Sequence, residues 1–416
     1  MKKNTKKSAP PKPAPTPKKP STPEERKQAT DLLISDIQKK YPGVLIGRAG
    51  SLEQERKRYS FGLLGLDLMS GGGAAGGRIH QFRGRKASGK TSGAYRACVR
   101  TQETQENPKI AWFHTEPFEK DWARSCGVQI AYTDQEIRAI EQRLGKKLNP
   151  DDVKAMKKQK GEFYEGASQD HEALLESMID FIDDTDYHLI VLDSLGAIQP
   201  HAWEETKLTD EVQRGRHAAL VQRWGKKLRS HLTRKDVAVL VLNHLRTEQT
   251  THRQYAPGGV EWEHLLDLDV TFKQEAWLKS SDDEGDASAG EVSMLNAEET
   301  AIGQVVFWKI NWTKIGGVRG GFGRYRLYTK KTGNWRPGQI DVPREAIDAA
   351  ISCGVVDKQP GGVYYFDGEK IARGAKDANA WLLADPLRMD LLYAEMLTRM
   401  ERDAVVLPAG VEDHAS

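Results

Sequence analysis

The sequence predicts an α/β protein whose centre is a mostly parallel β-sheet. Five continuous apolar runs recur between residues 61 and 331, and several of them are separated by helical stretches. Runs that alternate with helices in this way are typical of parallel strands covered by helices on both faces. A glycine-rich phosphate-binding pattern also lies between a further predicted strand and a predicted helix. The five runs are Lys109–Phe113, His188–Leu192, Val237–Leu242, Leu265–Phe272 and Val305–Trp312.

The length and composition of the chain argue against a small disulfide-rich protein, a zinc-binding protein and a membrane protein. The chain has 416 residues, enough for a large core with one or two smaller domains. Cys98, Cys126 and Cys353 are scattered, without the paired spacing of a zinc site or the density of a disulfide framework. We recognise no signal peptide and no apolar run long enough to cross a bilayer, which predicts a cytoplasmic protein with no membrane partner.

Two segments have a strongly one-sided charge. Residues 1–22 carry seven lysines, six prolines and no acid, a composition that cannot form a hydrophobic core. We interpret them as a disordered basic arm that either contacts nucleic acid phosphates or only aids solubility. Residues 281–299 carry seven acids and no base, which predicts an acidic surface loop.

An amphipathic helix is predicted directly after the basic arm. Thr22 is placed to cap it, Pro23 takes its first helical position, and Pro42 ends it. Its apolar stripe consists of Ala29, Leu32, Leu33, Ile37 and Tyr41. A helix this short cannot bury such a stripe by itself. We therefore expect the segment 23–50 to pack on the chain's own core or on a neighbouring subunit.

The phosphate-binding pattern is the most specific motif in the chain. Gly84 to Thr91 satisfies G-x-x-x-x-G-K-[ST], and it follows the strand-like run Ile79–Phe82 and precedes a predicted helix over 91–105. Backbone N–H groups and the helix N-terminus then bind phosphates, Lys90 contacts the outer phosphates and the Thr91 hydroxyl binds Mg²⁺. The predicted ligands are ATP and Mg²⁺. The nucleotide-binding residues of this loop are Gly84, Arg85, Lys86, Ala87, Ser88, Gly89, Lys90 and Thr91.

Polar residues follow three of the runs at the points where the strands end. Asp193 ends a Walker B pattern and is expected to hold Mg²⁺ through a water molecule. Glu116 is the candidate base that orients and deprotonates the attacking water, and His244 is a candidate sensor of the terminal phosphate. In a parallel sheet all three converge on the edge that carries the phosphate-binding loop. A surface glutamate and a structural histidine remain the alternative interpretations.

These motifs, with several others, resemble the bacterial RecA family of recombinases. The segment Phe61–Asp67 followed by Gly76–Ile79 is similar to the entry into the family's ATPase core. Trp122-Ala-Arg124 resembles the region of its adenine-stacking aromatic, so Trp122 is a further candidate nucleotide-binding residue. Gly362–Leu383 resembles the signature of the family's small C-terminal domain. Generic phosphate-binding-loop ATPases lack that domain.

The resemblance implies a domain organisation. It places a polymerisation helix in residues 23–50, a RecA-like P-loop ATPase core in 51–335, a small α+β C-terminal domain in 336–395 and a tail in 396–416. A charged, largely helical segment at 130–161 is an insert in this scheme, and the basic arm is an addition. Such divergence would suit a virus-encoded member of the family.

The resemblance also implies two DNA-binding loops. The first spans 204–214 and leads into a basic helix, and the second spans 246–260 and ends in a Pro-Gly-Gly sequence. Basic side chains neutralise phosphates, and an aromatic ring can stack on bases. On charge alone, a solvated surface is the alternative interpretation of the basic helix. The candidate DNA-binding residues are Arg214, Arg216, Arg223, Lys226, Arg246, Arg253, Tyr255, Gly258 and Gly259.

Two positions depart from the family pattern. His244 stands where bacterial members usually carry a glutamine that links the terminal phosphate to the DNA loop. Two lysines in the family reach the neighbouring subunit's ATP; Lys314 matches one of them and is a candidate catalytic residue, whereas Trp312 replaces the other.

The predicted function is therefore that of an ATP-dependent DNA recombinase. It would polymerise on single-stranded DNA, pair it with homologous double-stranded DNA and exchange strands, acting as a DNA-dependent ATPase. A repressor and a single-strand-binding protein are further candidate partners. Two alternatives share the core: a ring-shaped hexameric helicase, and a non-catalytic mediator that binds DNA and a partner recombinase.

Overall fold

The computed structural model describes residues 22–41, 56–184, 186–201, 215–233, 235–248, 254–279, 301–333 and 335–404. The chain divides into two compact units, Met1–Glu55 and Arg56–Ser416. The described part of the first unit forms the helix α1 (Pro23–Lys40), on which Leu32 and Leu33 are exposed. The predicted basic arm up to residue 21 and the predicted acidic loop at 281–299 lie outside the described residues.

The second unit contains a large sheet and its covering helices. Its first elements are β1 (Arg58–Tyr59), α2 (Leu64–Met69), β2 (Ala74–Ala75), β3 (Ile79–Gly84), α3 (Lys90–Thr104), β4 (Lys109–His114), α4 (Lys120–Ser125), α5 (Asp134–Leu144), α6 (Pro150–Met156), β5 (Glu162–Ala167), α7 (His171–Asp183) and β6 (Leu189–Asp193). A 3₁₀ turn (Leu195–Ala197) follows, then α8 (Arg216–His231), β7 (Ala238–His244), β8 (Arg246–Thr247), β9 (Gln254–Tyr255), α9 (Gly259–Leu265), β10 (Leu268–Leu278), β11 (Gly303–Thr313) and β12 (Phe322–Tyr328). The helices α5 and α6 lie within the segment 130–161.

The large sheet has the strand order β12-β11-β10-β3-β7-β6-β4-β5. From β10 to β5 every neighbouring pair is parallel, whereas β11 and β12 add antiparallel pairs at one side. The predicted α/β class with a mostly parallel central sheet is therefore confirmed.

The core lies on both faces of this sheet, which explains the continuous apolar runs. Alternate residues of β7 serve different faces: Leu240 packs in one cluster with α3, whereas Val239 and Val241 pack in another with α7 and α8. Each large apolar side chain buried in this way contributes about 1.5–3 kcal/mol to folding.

A smaller sheet with its own helices follows the large one. The elements are α10 (Val342–Ser352), β13 (Val356–Gln359), β14 (Val363–Phe366), β15 (Glu369–Arg373), α11 (Ala375–Leu383) and α12 (Leu387–Ala404). The three strands form an antiparallel sheet, and a third apolar cluster joins it to these helices and to Leu68 of α2. The Glu345 carboxylate accepts hydrogen bonds from the N–H groups of Leu64 and Gly65 at 2.7 and 2.8 Å, and burial raises its pKa to about 8.

None of the helices in the described ranges is long and apolar enough to cross a membrane.

Candidate functional site

The phosphate-binding loop connects β3 directly to α3. A Cβ atom on Gly84 would lie 2.6 Å from the carbonyl oxygen of Phe272, so only glycine fits there. Gly89 has φ +90°, and a Cβ atom on it would lie 2.7 Å from the side chain of Val306. The hydroxyl of Ser88 is buried and has no hydrogen-bond partner among the described residues. An orphaned hydroxyl inside a loop of this shape fits a phosphate oxygen.

Lys90 begins α3 and is only 5% exposed. Burial lowers the pKa of its ammonium group, while the charges of Asp193 and Glu116 oppose the shift. A buried ammonium group is stabilised by a nearby anion. The cation therefore also fits a phosphate group bound in this loop.

Strand register brings the predicted polar residues to one end of the sheet. Gly84 lies opposite His244 on β7, and Asp193 lies between His114 of β4 and Leu242 of β7. The residues that follow these strands consequently share one edge, which we call the carboxyl edge. Loss of contact with water raises the pKa of the Asp193 carboxyl to about 7, although Lys90 opposes this shift.

Glu116 and His244 contact each other at the carboxyl edge. Nε2 of His244 lies 2.8 Å from Oε1 of Glu116, and the Ser194 hydroxyl donates to the same oxygen at 2.9 Å. Desolvation acts to raise the pKa of Glu116, but the Ser194 hydrogen bond and the His244 ring outweigh it, so the pKa lies below its ordinary value. Desolvation and the charge of Lys90 lower the pKa of His244. A neutral His244 ring that donates Nε2–H to an ionised Glu116 satisfies both shifts.

Two other predicted residues, Trp122 and Lys314, lie on elements other than those that form the carboxyl edge. Trp122 lies on α4, partly buried against the core cluster that includes α3. Lys314 follows Thr313, the last residue of β11, which pairs with Leu268; Leu268 in turn lies opposite His80 at the start of β3. That position is about 13 Å along the strands from Gly84. Within one chain, Lys314 and the phosphate-binding loop therefore lie at opposite ends of the sheet.

A broad cleft lies beside the carboxyl edge, and we call it the loop cleft. It has a volume of about 1330 Å³ and is lined by residues 196–199, 217–218, 246, 255–260 and 263. Arg246 donates to the carbonyl of Gly196 at 2.9 Å, and Tyr255 is 48% exposed. Gly258 has φ +121°, and a Cβ atom on it would lie 2.9 Å from the Trp262 ring. Gly259, with φ +79°, completes this turn.

Two contacts connect the loop cleft to the phosphate-binding loop and the sheet. The guanidinium of Arg85 lies 3.4 Å from the Thr247 hydroxyl on β8. Asn243, one residue before His244, donates to the Pro257 carbonyl at 2.8 Å and to Gln81 at 3.0 Å. The cleft and the predicted nucleotide edge are therefore built from the same chain segments.

The basic helix α8 reaches this cleft only with its first turn, where His217 and Ala218 line it. Arg223 forms an ion pair with Glu172 of α7 at 3.1 Å, and Lys227 pairs with Glu176. Lys226 is exposed but does not line the cleft. The structure thus does not bring Arg223 and Lys226 together with Arg246. The predicted residues Arg214 and Arg253 lie outside the described residues, and Arg216 is the first residue of α8.

Sequence reasoning missed three residues that contact Glu116 or its neighbours. Ser194 belongs to the Walker B pattern, and its place directly after Asp193 was the available signal. His114 and Glu165 had no signal in the sequence, because they lie on two different strands and are 51 positions apart in the chain.

The sequence is similar to those of several known proteins over most of its length. No family model matches the sequence. The chain is 23% identical over 388 residues to Protein RecA of Azospirillum lipoferum, covering 89% of each chain. It is 24% identical over 397 residues to Protein RecA of Synechocystis, covering 94% of this chain and 96% of the relative. Protein RecA of Streptococcus sanguinis is 24% identical over 369 residues, with 87% and 82% covered.

The mostly parallel sheet, with its phosphate-binding loop between β3 and α3, defines a P-loop protein with a RecA-like core. The matches extend over most of the sequence and are to proteins named RecA. The chain is therefore similar, over most of its length, to proteins named RecA.

Proposed function

We propose that this chain is an ATP-dependent DNA recombinase, which polymerises on single-stranded DNA and catalyses homologous pairing and strand exchange. One observation carries the proposal: the phosphate-binding loop, Asp193, Glu116 and His244 share an edge with the loop cleft. The family relationship agrees with a recombinase role. A site for a triphosphate and a surface for a DNA strand would then be mechanically connected.

In the nucleotide site, ATP would be held by the backbone of residues 84–89 and by Lys90. The Ser88 hydroxyl, which is orphaned and buried, would gain a phosphate partner. Glu116 would orient the attacking water and accept its proton, since its lowered pKa keeps the carboxylate ionised. Thr91 and Asp193 would hold Mg²⁺, which neutralises charge on the phosphates when bound. Trp122 would offer a stacking face for adenine.

DNA would occupy the loop cleft. Arg246 would pair with a backbone phosphate, and Tyr255, which is half exposed, would stack on a base. Gly258 and Gly259 would let the strand approach the backbone closely. Specificity would come from base pairing between the two DNA strands, because the protein offers mainly contacts to the DNA backbone. The same filament would also bind double-stranded DNA and test it for homology with the bound single strand.

Communication between the two sites would pass through His244. A terminal phosphate would compete with Glu116 for the Nε2–H group of His244, which is two residues before Arg246. Arg85, at the phosphate-binding loop, contacts Thr247 directly and would provide a second connection. Binding of ATP would in this way favour one arrangement of the loop cleft.

Assembly into a filament would complete the site. Lys314 is remote from the phosphate-binding loop of its own chain, so it would act on the ATP of the adjacent subunit. The exposed Leu32 and Leu33 of α1 would be buried on a neighbouring subunit. Trp312, in place of a second lysine, would weaken the cooperativity of hydrolysis.

The test is formation of joint molecules from a labelled single strand and a homologous supercoiled duplex. We expect joints with ATP, none without ATP, and none with Lys90→Ala. A heterologous duplex is the matched control for pairing by sequence. Tight ATP-dependent binding of DNA without any joints would overturn strand exchange. Independently of that outcome, rings in electron micrographs would favour the helicase, and DNA binding indifferent to ATP would favour the mediator.

A further inference from the structure

Glu116 lies in a loop without regular structure, yet both its main chain and its side chain are anchored. Thr115, the preceding residue, donates its N–H to the Asp193 carbonyl at 2.8 Å and its hydroxyl to the Ser194 carbonyl at 3.1 Å. Pro117 follows Glu116, and a residue before proline is largely restricted to extended backbone conformations. The direction of the Glu116 side chain is therefore set by very few remaining degrees of freedom.

His114, the last residue of β4, restrains the main chain of Glu116. Nδ1 of His114 lies 2.7 Å from the main-chain carbonyl oxygen of Glu116, and this ring nitrogen must donate because a carbonyl only accepts. Only 12% of the His114 side chain is exposed, and its ring packs 5.7 Å from that of Phe118 in the same loop. His114 consequently holds the peptide group that follows Glu116.

The other side of this ring is held from the edge strand β5. Nε2 of His114 lies 3.2 Å from Oε1 of Glu165, and Oε2 of Glu165 pairs with Lys120 of α4 at 2.9 Å. A carboxylate and a carbonyl both accept hydrogen bonds, so the two contacts of His114 form together only when both ring nitrogens carry protons.

The carboxylate of Glu116 is anchored separately. Ser194 is fully buried, and its hydroxyl donates to Oε1 of Glu116. His244 donates to the same oxygen, so both neighbours engage Oε1. The second oxygen, Oε2, is then the one that can accept a proton from water.

We propose that His114, held by Glu165, is a positioning residue that fixes the main chain of Glu116, while Ser194 fixes its carboxylate. This inference rests on the proposed role of Glu116 as the base in ATP hydrolysis. Neither His114 nor Glu165 touches the reacting atoms; both act through the orientation of Glu116. A misplacement of about 1 Å in a reacting group can cost about a hundredfold in rate.

The experiment measures DNA-stimulated ATP hydrolysis and, separately, the affinity for a fluorescent ATP analogue. We expect Glu165→Ala, His114→Ala and Ser194→Ala each to lower kcat by about tenfold to a hundredfold, with nucleotide affinity changed less than about twofold. His114→Asn should recover part of the rate, because its amide nitrogen takes about the place of Nδ1 and can still donate to the Glu116 carbonyl. Glu162→Ala, also exposed and on β5, is the control and should retain the wild-type kcat.

A double variant tests the order of the contacts. Because Glu165 acts through His114, His114→Ala combined with Glu165→Ala should lower kcat no further than His114→Ala alone. Multiplied effects, a wild-type kcat in Glu165→Ala, or a loss of nucleotide affinity as large as the loss of kcat would overturn the inference. Melting temperatures identify a variant that has merely unfolded, and Glu165→Gln then replaces it. A wild-type chain that hydrolyses no ATP would instead overturn the proposed function itself.

Discussion

Buried charged groups are compensated differently at the two ends of the central sheet. At the carboxyl edge, Lys90 and Asp193 are charged groups whose pKa values both shift toward the neutral form, and the hydroxyl of Ser88 has no partner among the described residues. At the other end, which we call the amino edge, Asp267 is fully buried but saturated with donors. Its carboxylate accepts from Ile79 N–H at 3.0 Å and from Arg78 at 3.2 Å, and it pairs with Arg229 through two hydrogen bonds.

This difference separates the proposed nucleotide site, whose charges are incompletely paired, from a set of ion pairs within the fold. Charges that are buried without full compensation cost stability, and a ligand of opposite charge recovers it. Charges that are fully paired inside the protein gain nothing from a ligand. Substitutions at the two ends should therefore affect different measurements.

Loss of Asp267 should have the largest effect on stability. Asp267→Ala leaves Arg78 and Arg229 without their common carboxylate, and removing one partner of a buried ion pair costs about 3–5 kcal/mol. The free energy of unfolding in urea measures this. Asp236→Ala is the control, since its one ion pair among the described residues is with the exposed Lys57, and its loss should cost less than about 1 kcal/mol. Similar losses for the two variants would contradict the contrast between the edges.

Loss of Lys90 should affect the reaction and not the fold. Lys90→Ala should lower the rate of ATP hydrolysis by about 10²–10³-fold, since it removes a positioned cation from a site where charge develops. The melting temperature of the nucleotide-free protein should hardly fall, because burial already disfavours the charged ammonium group. Arg100→Ala, a half-buried position on the same helix, is the control. Severe unfolding of Lys90→Ala would assign this residue to the scaffold.

Asp193 should make the free energy of unfolding of the nucleotide-free protein depend on pH. Its pKa rises from 3.8 to about 7 on folding, so the folded protein holds this proton more tightly than the unfolded chain. Its contribution to stability is full below pH 3.8 and is lost as the pH rises to about 7. Asp193→Asn should therefore be more stable than the wild type at pH 8, by about 1–2 kcal/mol. Urea unfolding at pH 5 and pH 8 measures the free energies of unfolding of both proteins. If Asp193→Asn differs from the wild type by the same amount at both pH values, the raised pKa of Asp193 is refuted.

The smallest effect is expected on the binding of single-stranded DNA, where Arg246 and Arg223 should differ. Arg246→Ala should weaken binding of single-stranded DNA and reduce the slope of log affinity against log salt by about 0.7, the loss of one phosphate contact. Arg223→Ala should leave that slope unchanged, because Arg223 is already paired with Glu172 on α7. Titrations at several salt concentrations measure both. Equal slopes for the two variants would place DNA elsewhere.

Sequence patterns predicted the central strands well but missed the strands at the sides of the sheet. The runs of β4, β6 and β7 are buried on both faces, so they are continuously apolar. In contrast, β5 has the sequence Glu-Phe-Tyr-Glu-Gly-Ala and is at one side of the sheet, where most of its residues are exposed. The run predicted to begin at Leu265 forms a strand only from Leu268, since α9 continues to Leu265.

The sequence by itself determined the phosphate-binding pattern and the polar residues at or just after the ends of three strands: Glu116 after β4, Asp193 in β6 and His244 in β7. Eight contiguous residues make the loop, and parallel strands must bring their ends to one edge, so local pattern is sufficient. Tertiary structure alone decided which of the charged groups are left for a ligand. Arg223 and Arg246 look alike in the sequence, but packing of α8 on α7 pairs the first, while the second reaches the loop cleft. The contacts of His114 with Glu165 and of Asp267 with Arg229 likewise join residues distant in the chain, because only the folded sheet brings them within hydrogen-bonding distance.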